Sequence, residues 1–189
     1  FLMCRIGGFN PMTSKNLMFF SSISTTSNYI ANATYNLRND TILQGTKIFK
    51  GSQLTKPVNL NGYYSLRSFF VLGFPIKVLK SNFNFNGGWS YSETPGIINS
   101  LKNISKSNSA NGGIFIGSNI SPEFDFSFGY NASYTEAKNT LQQKSNNTYF
   151  THTANFKVNL ILFKGLVLNS DVSHTLYNGL SQSFNQNYL

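Results

Sequence analysis

The stretch FDFSFGYNASY, residues 124–134, alternates strictly between two kinds of side chain. Its even positions are aromatic or apolar, from Phe124 to Tyr134, and its odd positions are small or polar, from Asp125 to Ser133. Because successive side chains of a β-strand point to opposite faces of a sheet, this period of two predicts a strand with two unlike faces. A soluble strand buries its apolar face in a core, whereas a membrane strand shows that face to lipid.

The same alternation recurs along most of the chain and predicts seven long strands. They are expected near residues 17–37, 58–74, 81–92, 109–120, 124–135, 148–162 and 166–182, after a leading segment at 1–16 and before the beginning of an eighth strand at 185–189. β-branched and aromatic residues dominate these segments, as is typical of strands. The sequence therefore predicts an all-β fold.

The predicted connections alternate between short and long. Short segments lie at one end of the strands and polar stretches at the other: 75–81, 121–123 and 163–165 against 38–57, 92–109 and 136–147. In the short segment FKG, we expect Gly165 to take the left-handed conformation of a hairpin loop. This alternation of short and long connections indicates an antiparallel up-and-down sheet. In outer-membrane barrels the short turns are periplasmic.

The composition is polar without being charged. Charged residues make up 11% of the 189 residues and aromatic residues 15%, whereas a typical soluble domain has about 25% charged residues. No run of about 18 apolar residues is present, so the sequence predicts no transmembrane helix. The net charge of +9 comes from Lys and Arg scattered through predicted loops and turns, which favours solvated loops or anionic head groups over nucleic acid.

The phase of each strand assigns residues to the two faces. Three charges well inside strands, Arg67, Lys157 and Asp171, fall on the polar phase, as expected for the lumen of a barrel. A Lys or Arg on the lipid face costs about 2–4 kcal/mol near the bilayer midplane. The exposed face of a soluble sheet fits them equally. The residues predicted to face lipid share the apolar phase: Phe70, Leu72, Phe83, Phe85, Trp89, Ile114, Ile116, Phe126, Phe128, Tyr130, Phe156, Val158 and Leu160.

Two glutamates and two histidines fall on the apolar phase. Glu93 and Glu136 are expected at loop ends, outside the apolar band. His152 and His174 read as a metal or pH site or as interface residues near the wide rim, and the lack of an accompanying Cys, Asp or Glu pattern favours the interface. We find no Ser-His-Asp pattern, phosphate-binding Gly loop or paired carboxylates. The sequence therefore predicts no enzyme, no catalytic residue, no metal site and no cofactor.

Two segments resemble a known family. RIGGFNPMTSKNLMFF at 5–20 is similar to the segment R-x-G-N-P-x-L-x-P-E before a long strand in TonB-dependent outer-membrane receptors, of the outer membrane protein beta-barrel family, although Gly8-Phe9 precedes Asn10-Pro11 and no Pro-Glu follows. LTKPVNLNGYYSLRSFFVLGFPIK at 54–77, followed by SNFNFNGGWSYSETPGIIN at 81–99, resembles a hairpin of these receptors. The resemblance implies the C-terminal part of a barrel of about 22 strands with a plug domain inside.

The expected architecture is an antiparallel up-and-down transmembrane β-barrel segment of about seven to eight strands over 1–189, a partial domain and a fragment of a larger barrel. The resemblance implies binding and passage of a nutrient ligand in the bacterial outer membrane, without catalysis and with no ligand-binding residue assigned. It implies as partners the lipid bilayer and lipopolysaccharide, the barrel assembly machinery, a plug domain and a TonB-type energiser, and no nucleic acid. The alternatives are a small complete outer-membrane barrel of the porin or adhesin type, and a soluble β-sandwich or lectin-like binding module.

Overall fold

The computed structural model describes residues 1–43, 46–118, 120–141, 143–163, 165–179 and 187–188. Strands account for 80% of the described residues and helices for 3%, which confirms the all-β prediction. The strands are β1 (Leu2–Asn10), β2 (Lys15–Thr26), β3 (Tyr29–Asn36), β4 (Thr41–Leu43), β5 (Thr46–Ile48), β6 (Gln53–Leu60), β7 (Tyr63–Ile76), β8 (Ser81–Ile98), β9 (Leu101–Ser118), β10 (Phe124–Asn139), β11 (Asn147–Leu162), β12 (Leu166–Asn178) and β13 (Asn187–Tyr188). Single 3-10 turns lie at Lys77–Leu79 and Gln143–Ser145. Within the described part of the chain, no helix has the length and apolar character needed to cross a membrane.

One sheet of eleven strands contains nearly all of the structure. Its main path runs β1-β2-β7-β8-β9-β10-β11-β12-β13, and every neighbouring pair on this path is antiparallel. This confirms the antiparallel up-and-down arrangement. Over the described residues the sheet is open, with β1 at one edge and β13 at the other, and it does not close into a barrel.

β2 and β7 are the base of one long β-hairpin. The β2–β7 ladder ends at the pair Thr26–Tyr63, and the β3–β6 ladder resumes in the same register at Tyr29–Leu60. β4 and β5 continue this register again. The single strands expected at 17–37 and 58–74 are therefore each divided, and the loop expected at 38–57 contains β4, β5 and the first five residues of β6. We call the part from β3 to β6 the arm.

The hairpin is interrupted at Ser27–Asn28 and, opposite them, Asn61–Gly62. Asn28 has φ 54° and Gly62 has φ 110°, conformations in which the chain leaves the extended region. The backbone N–H of Asn28 donates to Asn61 Oδ1 at 2.8 Å. Beyond this break the arm turns over, which means that its two strands exchange sides. β3, and not β6, therefore lies next to β8 and pairs with it in parallel at Ala33–Ile97. The apolar alternation stays in phase through the break, which is why the sequence predicts unbroken strands.

β8 and β9 form a hairpin with 18 residues in each strand. It is closed by Asn99 and Ser100, whose φ angles of 48° and 70° are those of a two-residue type I′ turn. The long loop expected at 92–109 is therefore wrong. Pro95 suggests a chain break in the sequence, but it lies beyond Glu93, the last β8 residue paired with β7, where a missing donor is tolerated as at a sheet edge.

Other boundaries also differ. Residues 2–10 are strand β1, paired with β2, rather than a leading segment; their apolar side chains fall on both faces, so no period of two marks them. β10 extends to Asn139, which shortens the connection expected at 136–147. At 163–165 the positive φ of 52° belongs to Phe163 and not to Gly165, so that expectation is wrong; Lys164 lies outside the described residues.

The C-terminal strands follow the prediction in part. β12 ends at Asn178, and residues 180–182 of the strand expected at 166–182 lie outside the described residues. β13 pairs with β12 at Thr175–Tyr188 and supplies the described part of the eighth strand expected at 185–189.

The sheet is one layer thick over the described chain. Among the described residues, its only buried hydrophobic side chains are those of Ala31 and Ala33, both on β3. The accessible surface is 13232 Å², whereas a soluble monomer of 21.1 kDa exposes roughly 9,000 Å². The described strands therefore do not form the β-sandwich of the soluble alternative, in which apolar faces would pack on each other.

Candidate functional site

The registers divide the main sheet into two faces. Phe85 of β8 lies between Leu72 of β7 and Ile114 of β9, and Ile114 lies opposite Tyr130 of β10. All thirteen residues predicted to face lipid share this face, which we call the apolar face: Phe70, Leu72, Phe83, Phe85, Trp89, Ile114, Ile116, Phe126, Phe128, Tyr130, Phe156, Val158 and Leu160. The other face is the polar face. Whether the apolar face meets lipid stays a prediction.

The apolar face carries an uncharged band. On β7 to β12, it has no Asp, Glu, Lys or Arg between the row of Phe124 and the row of Tyr134 in the described residues. Rings contact one another across strands, with centroids 5.2 Å apart for Phe70–Phe85. The distance from Phe124 to Tyr134 along β10 is about 34 Å, which a tilt of about 45° reduces to the height of about 25 Å typical of the apolar band of outer-membrane barrels.

A charged row ends this band. Lys106 Nζ lies 3.0 Å from Glu93 Oε1, and Lys138 Nζ lies 2.7 Å from Glu136 Oε1. The Tyr91 hydroxyl and then Lys106 lower the pKa of Glu93 below its ordinary value. Both glutamates were expected at loop ends, but they lie inside strands β8 and β10, and each is paired with a lysine.

His152 and His174 contact each other on the apolar face, with ring centroids 5.9 Å apart. The His152 ring also lies 5.7 Å from Tyr130 and 5.8 Å from Phe150. Its Nδ1 is buried and has no hydrogen-bond partner. The described residues contain no group of three His, Cys, Asp or Glu that could hold a metal ion. The two histidines therefore belong to an aromatic cluster one row inside the end of the band.

Small neutral side chains cover much of the polar face. Hydroxyl groups contact across strands at Ser109–Thr135, 3.2 Å, and Thr153–Thr175, 3.1 Å. Amide side chains also lie over glycines of neighbouring strands. A Cβ atom added to Gly113, for example, would clash with the Oδ1 of Asn131. The face thus presents donors and acceptors with little net charge to whatever solvent or solute it meets.

The three predicted lumen charges lie on this face. Arg67 pairs with Ser22 and Ser90, and Lys157 lies directly opposite Asp171; all three charged side chains are exposed. A fourth charge is Asp125, whose Oδ1 accepts a hydrogen bond from Asn159 Nδ2 at 2.8 Å. Asp125 falls on the polar phase of its strand, so the alternation of FDFSFGYNASY already indicates its face.

An uncharged crevice of about 250 Å³ lies between the arm and the sheet. Its polar lining includes Asn32 and Thr34 of β3 and Thr94, Asn103 and Ser105 of β8 and β9. Asn103 is buried at 6% exposure, and its Oδ1 accepts hydrogen bonds from the Thr140 hydroxyl and from the Leu141 backbone N–H. The sequence pattern does not reveal this crevice, because it exists only when the arm turns over.

The crevice is a partly enclosed polar surface, and its chemistry is that of neutral hydrogen bonding. At its margin the Tyr29 and Tyr63 rings stack with centroids 4.4 Å apart and an interplanar angle of 10°. Hydroxyl, amide and aromatic groups together suit a polar ligand, since no Asp, Glu, His, Lys, Arg or Cys is among the described residues that line the crevice.

These features define an all-β protein whose main sheet, antiparallel along the path from β1 to β13, has one apolar and one polar face. No protein-family model, no curated protein and no solved structure matches the chain.

Proposed function

We propose that this chain forms part of the wall of an outer-membrane β-barrel, with the apolar face against lipid and the polar face towards a water-filled lumen. The observation that carries the proposal is the charge-free band of the apolar face, opposite a face that holds Arg67, Lys157 and Asp171. Lipid tolerates such a band and excludes charges from it.

The amount of exposed surface supports the same assignment. Soluble monomers seldom expose apolar patches larger than about 600 Å², and large side chains of this chain remain half exposed across several strands, such as Phe85, Trp89 and Phe156. A bilayer would cover them without a second protein layer. The proposal includes further strands that pair with β1 and β13, because open sheet edges do not occur in lipid.

The polar face favours a wide barrel over a small complete one. An eight-stranded barrel fills its interior with side chains, whereas Gly88, Gly113 and Gly129 are among the residues on the polar face here. Small side chains suit a wall that borders water or another domain. In the porin-like or adhesin-like alternative, eight strands would have to close around a polar face that includes these small side chains.

The resemblance to TonB-dependent receptors gives the proposal its specific form. In that form the chain is part of a receptor in the outer membrane of a Gram-negative bacterium, assembled by the barrel assembly machinery and surrounded by phospholipid and lipopolysaccharide. A plug domain fills the lumen, a TonB-type energiser drives uptake, and the arm with its crevice contacts the nutrient ligand at the outer rim. The chain binds and passes the ligand and catalyses nothing.

A matched pair of substitutions on β10 tests the lipid assignment. Phe128→Lys puts a charge near the middle of the apolar band at a cost of about 2–4 kcal/mol, whereas Ser133→Lys puts the same charge on the polar face. We expect Phe128→Lys to reduce the amount of chain recovered in the outer-membrane fraction strongly and Ser133→Lys to reduce it little. Equal recovery of the two variants would contradict the proposal.

The receptor form has its own test. Growth that requires this chain under nutrient limitation should also be lost when the TonB-type energiser is deleted. Growth that needs the chain but not the energiser would support a passive porin instead.

A further inference from the structure

A groove of about 290 Å³ opens at the short-turn end of the sheet. Its walls are Val78 and Leu79 of the turn between β7 and β8, together with Ile120 and Phe126, and Lys80 lies at its margin. Phe126 belongs to the apolar face, so the groove opens on the surface proposed to meet lipid.

Two serines lie in the sheet beside this groove and offer it little polarity. Ser81 and Ser118 are paired across β8 and β9 in the row next to Phe126. The Ser81 hydroxyl donates to the carbonyl of Leu79 at 2.7 Å, and the Ser118 Oγ accepts from the backbone N–H of Phe126 at 2.6 Å. Because the Ser81 hydroxyl donates and the Ser118 Oγ accepts within the protein, the groove offers few free polar groups and is suited to a hydrocarbon chain.

The side chains of the turn are exposed in a way that nothing in the described chain explains. Val78 is 93% exposed and Leu79 is 54% exposed. Two lysines flank them, and the backbone of Lys80 is held at φ 43° with its N–H donating to the Lys77 carbonyl at 3.2 Å. The turn therefore presents an apolar tip between two cations.

These two cations have no anionic partner among the described residues. The ion pairs of the described chain are Lys47–Asp40 in the arm and Lys106–Glu93 and Lys138–Glu136 at the opposite end of the strands. The acidic residue of the nearest short connection, Glu123, is exposed and forms no ion pair with Lys77 or Lys80. An apolar groove with an unpaired ammonium group at its margin matches a lipid whose chain is apolar and whose head group is an anion.

We propose that the groove holds part of one acyl chain of an anionic phospholipid, and that Lys80, with Lys77 beside it, binds the phosphate of the head group. The volume lies at the lower end of the range for ligand cavities, which fits one chain segment and not a whole lipid. A net anionic head group is selected because a zwitterionic lipid carries its own cation next to the phosphate. This proposal rests on the proposed function, since it needs the apolar face to meet lipid.

The test uses a tryptophan placed at the groove. Val78→Trp in a Trp89→Phe background gives a single reporter at a site that is 93% exposed in the native chain, so the change removes little packing. The whole barrel that contains this chain, with any tryptophan outside residues 1–189 replaced by phenylalanine, is reconstituted in phosphatidylcholine vesicles that contain an equal minor fraction of chain-brominated phosphatidylglycerol or of chain-brominated phosphatidylcholine. We expect brominated phosphatidylglycerol to quench the reporter several times more efficiently.

Lys80→Gln should lower this preference about fivefold, the effect of removing one lysine near an anionic surface. Lys50→Gln, an exposed lysine of the arm, is the matched control and should leave the preference unchanged. Equal quenching by the two lipids, no quenching by either, or a preference unaffected by Lys80→Gln would each overturn the proposal.

Quenching of Trp89 in the native chain distinguishes a failure of the groove proposal from a failure of the proposed function. If Trp89 is quenched by brominated lipid while the Val78→Trp reporter shows no preference, the apolar face meets lipid and only the groove is wrong. If Trp89 is not quenched, the proposed function itself fails.

Discussion

Lys157 of β11 and Asp171 of β12 lie directly opposite each other in an antiparallel pair on the polar face. Both side chains are exposed. Opposed side chains of neighbouring strands have Cβ atoms about 5 Å apart, near enough for the two charges to attract. The interaction energy of the two charges depends strongly on the surrounding medium. A measurement of that energy therefore shows whether the polar face is in contact with water.

A double-mutant cycle with Lys157→Met and Asp171→Asn should give a coupling free energy below about 1 kcal/mol that falls as salt is added, as for exposed pairs. The measurement is the free energy of unfolding of the four proteins at low and high salt. If removing a single partner cost about 3–5 kcal/mol, the pair would be desolvated and the wet lumen would be wrong.

Two opposed glycines on the apolar face should respond differently to an added methyl group. A Cβ on Gly87 would lie 2.5 Å from Cε1 of Phe70, whereas the nearest atom to a Cβ on Gly112 is 3.8 Å away. We expect Gly87→Ala to lower the free energy of unfolding by about 1–3 kcal/mol, because the Phe70 ring must move. Gly112→Ala is the control and should be neutral or slightly stabilising. Equal losses would show that Phe70 does not pack over Gly87.

A glycine at position 100 should stabilise the turn between β8 and β9. Ser100 has φ 70°, a left-handed conformation that costs a residue with a Cβ about 1–2 kcal/mol. Ser100→Gly should therefore raise the free energy of unfolding by about 1 kcal/mol. Ser107→Gly, in the extended part of β9, should instead lower it by about 0.5–1 kcal/mol. A loss at Ser100 would argue for a loop at 92–109 in place of the tight turn.

Acid should loosen the tip of the arm through Asp40. The Lys50 backbone N–H, at 2.9 Å, and then Lys47 lower the pKa of Asp40 below its ordinary value of 3.8. A lowered pKa means that the ionised carboxylate stabilises the tip above that ordinary value, and that this stability is lost as the pH falls through the folded pKa. Pepsin cleavage within 38–52, normalised to an unstructured peptide, should therefore increase on acidification.

The control for that experiment is Asp40→Asn, which lacks the carboxylate at every pH. We expect its arm to be cleaved readily already at the upper end of the pepsin range, with a weaker dependence on pH. Identical pH profiles for the native chain and this variant would show that Asp40 does not hold the tip.

Strand phase could be predicted from the sequence because it depends on local alternation alone. Phe126 and Ser127 fall on opposite faces whatever their neighbours do, and alternation alone also puts Arg67 and Lys157 on the polar phase of their strands. The opposition of Lys157 and Asp171 follows from the tight connection after Leu162, which sets the register between β11 and β12.

The arm and the β8–β9 hairpin could not be predicted in this way. The turnover at Asn28 and Gly62 changes which strands are neighbours without changing the phase of the pattern. Residues 105–109 are all Ser, Lys or Asn, so neither face of that part of β9 is marked by apolar side chains. The crevice beside Asn103 depends on both features, and for that reason no local pattern indicates it.

The single tryptophan of the chain, Trp89, lies on the apolar face, is 46% exposed and donates its Nε1–H to Asn108 Oδ1 at 2.7 Å. Fluorescence quenching of Trp89 after reconstitution in vesicles is the most direct test of which solvent this face meets. A lipid-facing apolar face predicts strong quenching by chain-brominated phosphatidylcholine and weak quenching by aqueous iodide. Strong quenching by iodide with none by brominated lipid would contradict it.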